Sequence, residues 1–184
     1  MLQKPDNKIE EIQILIGKNI LLLQEIEQLL KFIIYHESGK GLEKDLKKRK
    51  KNIDAMPLGK LLNKKMTDRH NSTIDPEITP LNETYVSYSF TLGKTDISIL
   101  KKSVETDVLE ERNILVHKFL IENDLTNDIG IAKAKKFLTE QHEKITKQKL
   151  PLVESRDALI KVGSTLNNFL NSQAYADFLK QHTE

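Results

Sequence analysis

The chain has 184 residues, of which 38% are hydrophobic and 30% charged, with a formal net charge of +2. That is the length of one domain. The absence of Cys excludes a disulfide framework, thiolate metal sites and a cysteine nucleophile, and the near-balance of acids and bases excludes retention on nucleic acid by bulk charge. With only 7 Gly, 5 Pro and no Trp, the composition favours helix.

Residues 7–37 read as one long helix. At 100° per residue Ile12, Ile16, Leu23, Ile26, Leu30, Ile33 and Ile34 fall within about 60° of one line. Asn19 and Glu27 interrupt that stripe. Gly39 and Gly41 end it. Residues 42–55 read as a basic helix with a weak apolar face. Met56-Pro57-Leu58 opens a short helix with Pro at an early position. Residues 67–83 hold two prolines in a polar cluster and read as a loop. Residues 85–90 alternate imperfectly, so an extended piece and a helix entry both remain open. A second long helix is expected over 95–122, capped by Thr95 or Asp96. Helices at about 128–149 and from Pro151 to about Leu170 follow, and Ser172 caps a last short one. There is no internal repeat and no linker. The chain therefore reads as a single all-α domain, 1–184.

The densest information lies in Glu110-Glu111-Arg112-Asn113-Ile114-Leu115-Val116-His117-Lys118-Phe119-Leu120. Val104, Val108, Leu115 and Phe119 form one apolar strip of this helix; Leu109, Val116 and Leu120 form a second. Together they span roughly 200°, about twice what a helix needs to pack on one side. The second strip is free for another helix of the bundle or for a second subunit. Arg112 falls between the strips, so it is expected to be partly buried and therefore paired. Glu27, with Asn19 assisting, is the expected partner. Asn113 and His117 are four apart on the polar margin, within reach of each other. A guanidinium, an amide and an imidazole converging beside one helix suit a phosphodiester: Arg for the non-bridging oxygens, His for proton transfer.

Arg112-Asn113 followed by His117 resembles the Arg-x4–6-His signature of the HEPN superfamily in its Arg-Asn-x-x-x-His form. The surrounding Leu109-Glu-Glu-Arg-Asn-Ile-Leu-Val-His-Lys-Phe-Leu120, the helix from Asn19 to Lys31, the Met56-Pro-Leu-Gly-Lys-Leu61 segment and Asn167-Asn-Phe-Leu-Asn-Ser-Gln-Ala-Tyr175 extend the likeness to one bacterial branch. The resemblance implies an HEPN-like bundle of four to five helices, here with a short irregular or extended insert around 67–92. It implies a homodimer that brings two motifs into one cleft. It further implies metal-independent endoribonuclease activity: a 2′-hydroxyl attacks the adjacent phosphate and leaves a 2′,3′-cyclic phosphate. Such proteins serve as toxins or in phage defence. By motif position Arg112 would stabilise the charge on the phosphorane, His117 would move protons and Asn113 would orient the cleft. Some members of the superfamily carry Tyr two residues after the His, where a partner enzyme attaches nucleotides. Phe119 stands there in this chain and excludes that regulation, though not another antitoxin or regulatory protein.

Residues 40–65 contain ten basic and three acidic side chains, a local charge of +7 that leaves −5 for the rest. The run Lys47, Lys48, Arg49, Lys50 and Lys51 is the candidate RNA-backbone contact; without interleaved aromatics it would not read bases. A solvated helix face is the plainer explanation. Only four of the basic residues are Arg (Arg49, Arg69, Arg112, Arg156), so each is a candidate for a place that needs a planar fork of donors. No His, Asp or Glu spacing fits a metal, and no cofactor motif is present. The first apolar run lies behind Asp6, Glu10 and Glu11, which argues against a secretory signal. No run reaches membrane-spanning length, and a cytoplasmic protein is expected. The alternative to a nuclease is a non-catalytic helical module that binds RNA or a partner protein.

Overall fold

In a computed structural model, described here for residues 7–64, 85–90 and 107–182, the protein has an all-α fold of several helices with one small sheet. The elements in chain order are α1 (Asn7–Glu37), β1 (Ser38–Leu42), α2 (Glu43–Asp54), α3 (Leu58–Lys64), β2 (Tyr85–Ser89), α4 (Leu109–Asn113), a π-helical turn (Ile114–Lys118), α5 (Phe119–Glu122), α6 (Asp128–Leu170) and α7 (Gln173–His182). The expected loop at 67–83 and the expected cap at Thr95 or Asp96 lie outside the described residues.

The spine is the pair α1 and α6, which run parallel. Lys8 meets Asp128 at 2.7 Å, Glu11 meets Lys135 at 2.6 Å, Asn19 meets Gln141 at 3.0 Å and Glu25 meets Lys149 at 2.5 Å. The core lies between them: Ile12, Leu23, Ile26, Leu30 and Ile33 of the predicted stripe are buried against Leu138, Ile145 and Leu152. The helix carrying the motif returns along α6, with Phe119 against Phe137 and Asp107 accepting from Gln148 at 3.0 Å.

Two expectations are corrected. Gly39 and Gly41 do end the first helix, but the residues there form a strand, with Ser38–Leu42 pairing antiparallel to Tyr85–Ser89. This settles 85–89 as extended. Gly39 lies directly opposite Tyr88, and a Cβ on it would come within 2.7 Å of that ring. Gly41 has φ +133, a conformation open to glycine at little cost. Second, Pro151 does not begin a helix: α6 runs through it unbroken. Pro151 lacks an N–H, so the carbonyl of exposed Lys147 goes without its ladder bond on the solvent side. Ile145 and Leu152, both fully buried, hold the helix to α1 on either side of the defect. Tertiary burial outweighs the local propensity.

The turn into α6 is built by side chains. Asp124 accepts from the Thr126 N–H at 2.9 Å, the Thr126 hydroxyl at 2.6 Å and the Asn127 amide at 2.6 Å. Asn127 then caps α6 by accepting from the Gly130 N–H at 2.8 Å. No helix among the described residues is long and apolar enough to cross a membrane.

Candidate active site

The motif helix is anchored from beneath by a buried polar network. Asn19 is 0% exposed, Gln141 3% and Glu111 8%. The Asn19 amide donates to the Leu138 carbonyl at 2.9 Å and to Gln141 Oε1 at 3.0 Å, and its Oδ1 accepts from His142 Nδ1 at 2.8 Å. Gln141 Nε2 in turn donates to the backbone carbonyl of Glu111 at 3.1 Å and to its carboxylate at 3.0 Å. Lys144 closes the chain on Glu111 Oε1 at 2.6 Å, and that hydrogen bond holds its ammonium above the ordinary lysine range. Three elements are thus tied together one residue before Arg112.

This corrects the expected role of Asn19. It does not assist an Arg112–Glu27 pair; it grips Gln141, which grips the peptide before Arg112. Glu27 is also reassigned. It pairs at 2.8 Å with Lys31, a buried lysine that also donates to the Asp54 carbonyl at 2.9 Å. A buried ammonium requires such partners, which explains the acid on the apolar stripe. Arg112 makes no ion pair or hydrogen bond among the described residues. It is half-buried and lines an open groove of about 940 Å³ on the flank of α1, together with Gln24, Glu27, Val116, Lys149 and Arg156.

Asn113 and His117 are both exposed, one turn apart on the same helix. Between Arg112 and His117 the backbone departs from α geometry. The Phe119 N–H bonds to the carbonyl of Ile114, five residues back. In an α-helix, residues five apart point about 140° away from each other. A turn closed by bonds to the fifth residue brings such residues closer to one line, and π turns of this kind recur at functional sites. Of the three motif residues only Arg112 lines the groove; Asn113 and His117 are not among its lining residues.

The basic run is divided by the fold. Arg49 is half-buried, and its fork donates to the carbonyls of Ile34 (2.9 Å), Tyr35 (3.1 Å) and Ser38 at the C-terminus of α1. Its guanidinium also lies over the Tyr35 ring at 5.7 Å. It is a helix cap, not a free contact for RNA. Lys47 and Lys50 hold exposed ion pairs with Glu43 and Asp54, each at 2.6 Å. Lys48 and Lys51 are exposed.

Sequence reasoning missed Glu111, Gln141, Lys144, Lys149 and Arg156. The signal for Gln141 was present: it is a polar residue on the apolar seam of α6, seven residues after buried Ala134. Among the described residues no group of three or more His, Asp or Glu side chains is placed to hold a metal ion. No protein-family model, no curated protein and no solved structure matches the chain.

Proposed function

We propose that the protein is an HEPN-type endoribonuclease that cleaves RNA at a site built on Arg112, Asn113 and His117. The observation that carries this reading is the guanidinium of Arg112. A half-buried cation without an acid partner among the described residues is poised for an anion from outside. Its groove extends along α1 from Ile20 to Phe32 and carries Lys149 and Arg156 farther along, paired with Glu25 at 2.5 Å and Asp157 at 2.7 Å, so a phosphodiester would meet Arg112 first and compete with those acids for the other two cations.

In the proposed reaction His117 takes the proton of a ribose 2′-hydroxyl as that oxygen attacks phosphorus. The bond from phosphorus to the 5′ oxygen breaks, the departing alkoxide gains a proton, and a 2′,3′-cyclic phosphate remains. Arg112 donates to the non-bridging oxygens as charge accumulates on them, an effect worth several kcal/mol in a pre-organised site. Two copies would supply two imidazoles, one for each proton transfer. The exposed Val116 and Leu120 beside the motif give a second subunit an apolar strip to cover. A toxin or phage-defence role, with an antitoxin or regulatory protein as partner, follows from the same resemblance.

One observation favours the rival reading, a non-catalytic module that binds RNA or protein. No described side chain orients the His117 ring, whereas a working base is ordinarily held by a third group. The two readings separate on incubation with total cellular RNA in EDTA, followed by analysis of the fragment ends. Cleavage leaving cyclic phosphates, lost in His117→Ala and in Arg112→Ala with unchanged far-UV ellipticity, supports the nuclease. RNA that stays intact while the protein retains it points to the binding module.

A further inference from the structure

The seam that α6 buries against α1 does not stop where α1 stops. The ion pairs and hydrogen bonds between the two helices hold offsets of 120 to 124 residues. Those offsets set Glu37, the end of α1, level with about residue 159 of α6. From residue 161 to Leu170 every position of α6 is exposed, an overhang of about 15 Å at 1.5 Å per residue. The seven-residue repeat persists across the boundary. Ile145, Leu152 and Leu159 are buried, yet their next counterpart, Leu166, is 43% exposed. Ser155 is buried, but Val162 and Phe169 at the same heptad position are 41% and 48% exposed.

Charge disappears on the same stretch. In a chain that is 30% charged, residues 162–176 contain no Asp, Glu, Lys or Arg. Charge depletion around apolar and aromatic side chains is the compositional mark of an interface core. Gly163 adds a second feature. It lies inside a helix, where Gly is disfavoured relative to Ala. A Cβ there would meet nothing within 4 Å, so the protomer itself does not require a glycine at this position.

We propose that the overhang is a self-association surface on which a second copy of this chain lies antiparallel, with the two-fold axis at Leu166. That register sets Leu166 against its own counterpart, Val162 opposite the mate's Leu170 and Phe169 opposite the mate's Gly163. Within the protomer the Phe169 ring packs against Tyr175 of α7 at 5.6 Å between centroids, and its exposed remainder faces the space left by the mate's missing Cβ, as an isologous contact requires of one surface facing itself. An uncharged partner surface is needed, and an identical one supplies it. This contact is separate from the motif. Gln141, which holds the motif helix, is about 37 Å from Leu166 along α6, so pairing here leaves the two motifs far apart. It would join motif-paired subunits into a larger assembly.

The absence of Cys makes the test clean. Leu166→Cys in the full chain is expected to oxidise to a covalent dimer, while Asn168→Cys, on the opposite side of the helix, forms no covalent dimer under the same conditions. Gly163→Arg fills the proposed hole without removing any contact within the protomer. It is expected to weaken self-association by at least about tenfold in sedimentation velocity with far-UV ellipticity unchanged. Leu120→Glu, which acts on the motif strip, is expected to leave the Leu166→Cys cross-link intact. The proposal is overturned if Leu166→Cys does not cross-link, if Asn168→Cys cross-links equally, or if Gly163→Arg leaves the association unchanged. Loss of RNA cleavage in any of these experiments bears on the nuclease reading and not on this one.

Discussion

Asn19→Ala tests the network that positions the motif helix. The substitution removes one amide from a site with no access to water and leaves three groups to be accounted for. The Leu138 carbonyl sits within α6 and loses only a supplementary bond. His142 is half-buried, and its Nδ1 can turn to solvent. Gln141 Oε1 has neither recourse, because Gln141 is 97% buried and its Nε2 is already committed to Glu111. The penalty for one stranded buried acceptor is about 1–3 kcal/mol, and the emptied side-chain volume adds to it. A loss of about 2–4 kcal/mol in denaturant-induced unfolding at neutral pH is expected. The double substitution with Gln141→Ala should be clearly less than additive, with a coupling of about 0.5–3 kcal/mol. A loss within about 0.5 kcal/mol, the scale of an ordinary surface change, or strict additivity in the cycle, would refute the network as the anchor of the motif.

Other substitutions probe the remaining supports. Arg49→Lys keeps the charge but loses the fork that caps α1; urea unfolding should show a loss of about 1.5–3 kcal/mol, and an unchanged midpoint would contradict the capping role. Gly130→Ala would place its Cβ within 1.7 Å of the Asp124 carbonyl oxygen, so the turn must open, and the melting temperature should fall sharply, whereas Gly59→Ala, with open space around it, should be nearly silent. Arg112→Ala should cost under about 1 kcal/mol of stability, since no buried pair is broken; a loss of about 3–5 kcal/mol would mean that it has a structural partner after all. The hydrogen bonds from Thr126, from its hydroxyl first, and from Asn127 hold the Asp124 carboxyl below its ordinary value of 3.8. A depressed carboxyl contributes stability above its unfolded pKa and loses it as pH falls through the folded one. Acid titration of Asp124→Asn should therefore show a shallower loss of stability below about pH 4 than the parent chain.

The sequence displayed its helices wherever burial follows a period. The stripe of α1 is legible because its residues face one continuous partner, α6, along most of its length. Strand β1 was not legible, because Ser38-Gly-Lys-Gly-Leu42 has no alternation to read. Its extended form comes from pairing with a segment more than forty residues away. The Pro151 boundary misled for a related reason: a local rule met a helix held from both sides by buried Ile145 and Leu152. For the site, the spacing of Arg112, Asn113 and His117 was visible but the partners were not. The polar interruptions at Asn19 and Glu27 looked like one receptor for Arg112. They serve separate duties, one toward Gln141 and the other toward Lys31.

The π-helical turn links these points. An α-helix through residues 107–122 would place Arg112 and His117 on different sides, and the wide apolar arc read from the sequence assumed that geometry. The extra residue in the turn changes which side chains share a face after Ile114. Phe119 remains buried against Phe137, while Val116 and Leu120 point outward. A π turn is intrinsically poorer than an α turn and persists where surrounding contacts fix its ends. Here Gln141 and Lys144 hold Glu111 on one side, and the Phe119–Phe137 contact with the bond from Asn123 to the Phe119 carbonyl at 2.9 Å holds the other. The anchors flank the motif without touching Arg112, Asn113 or His117. Changes at Gln141 or Phe137 should therefore reach the site through the backbone alone, shifting the His117 imidazole relative to Arg112 without removing any contact that a motif side chain itself makes.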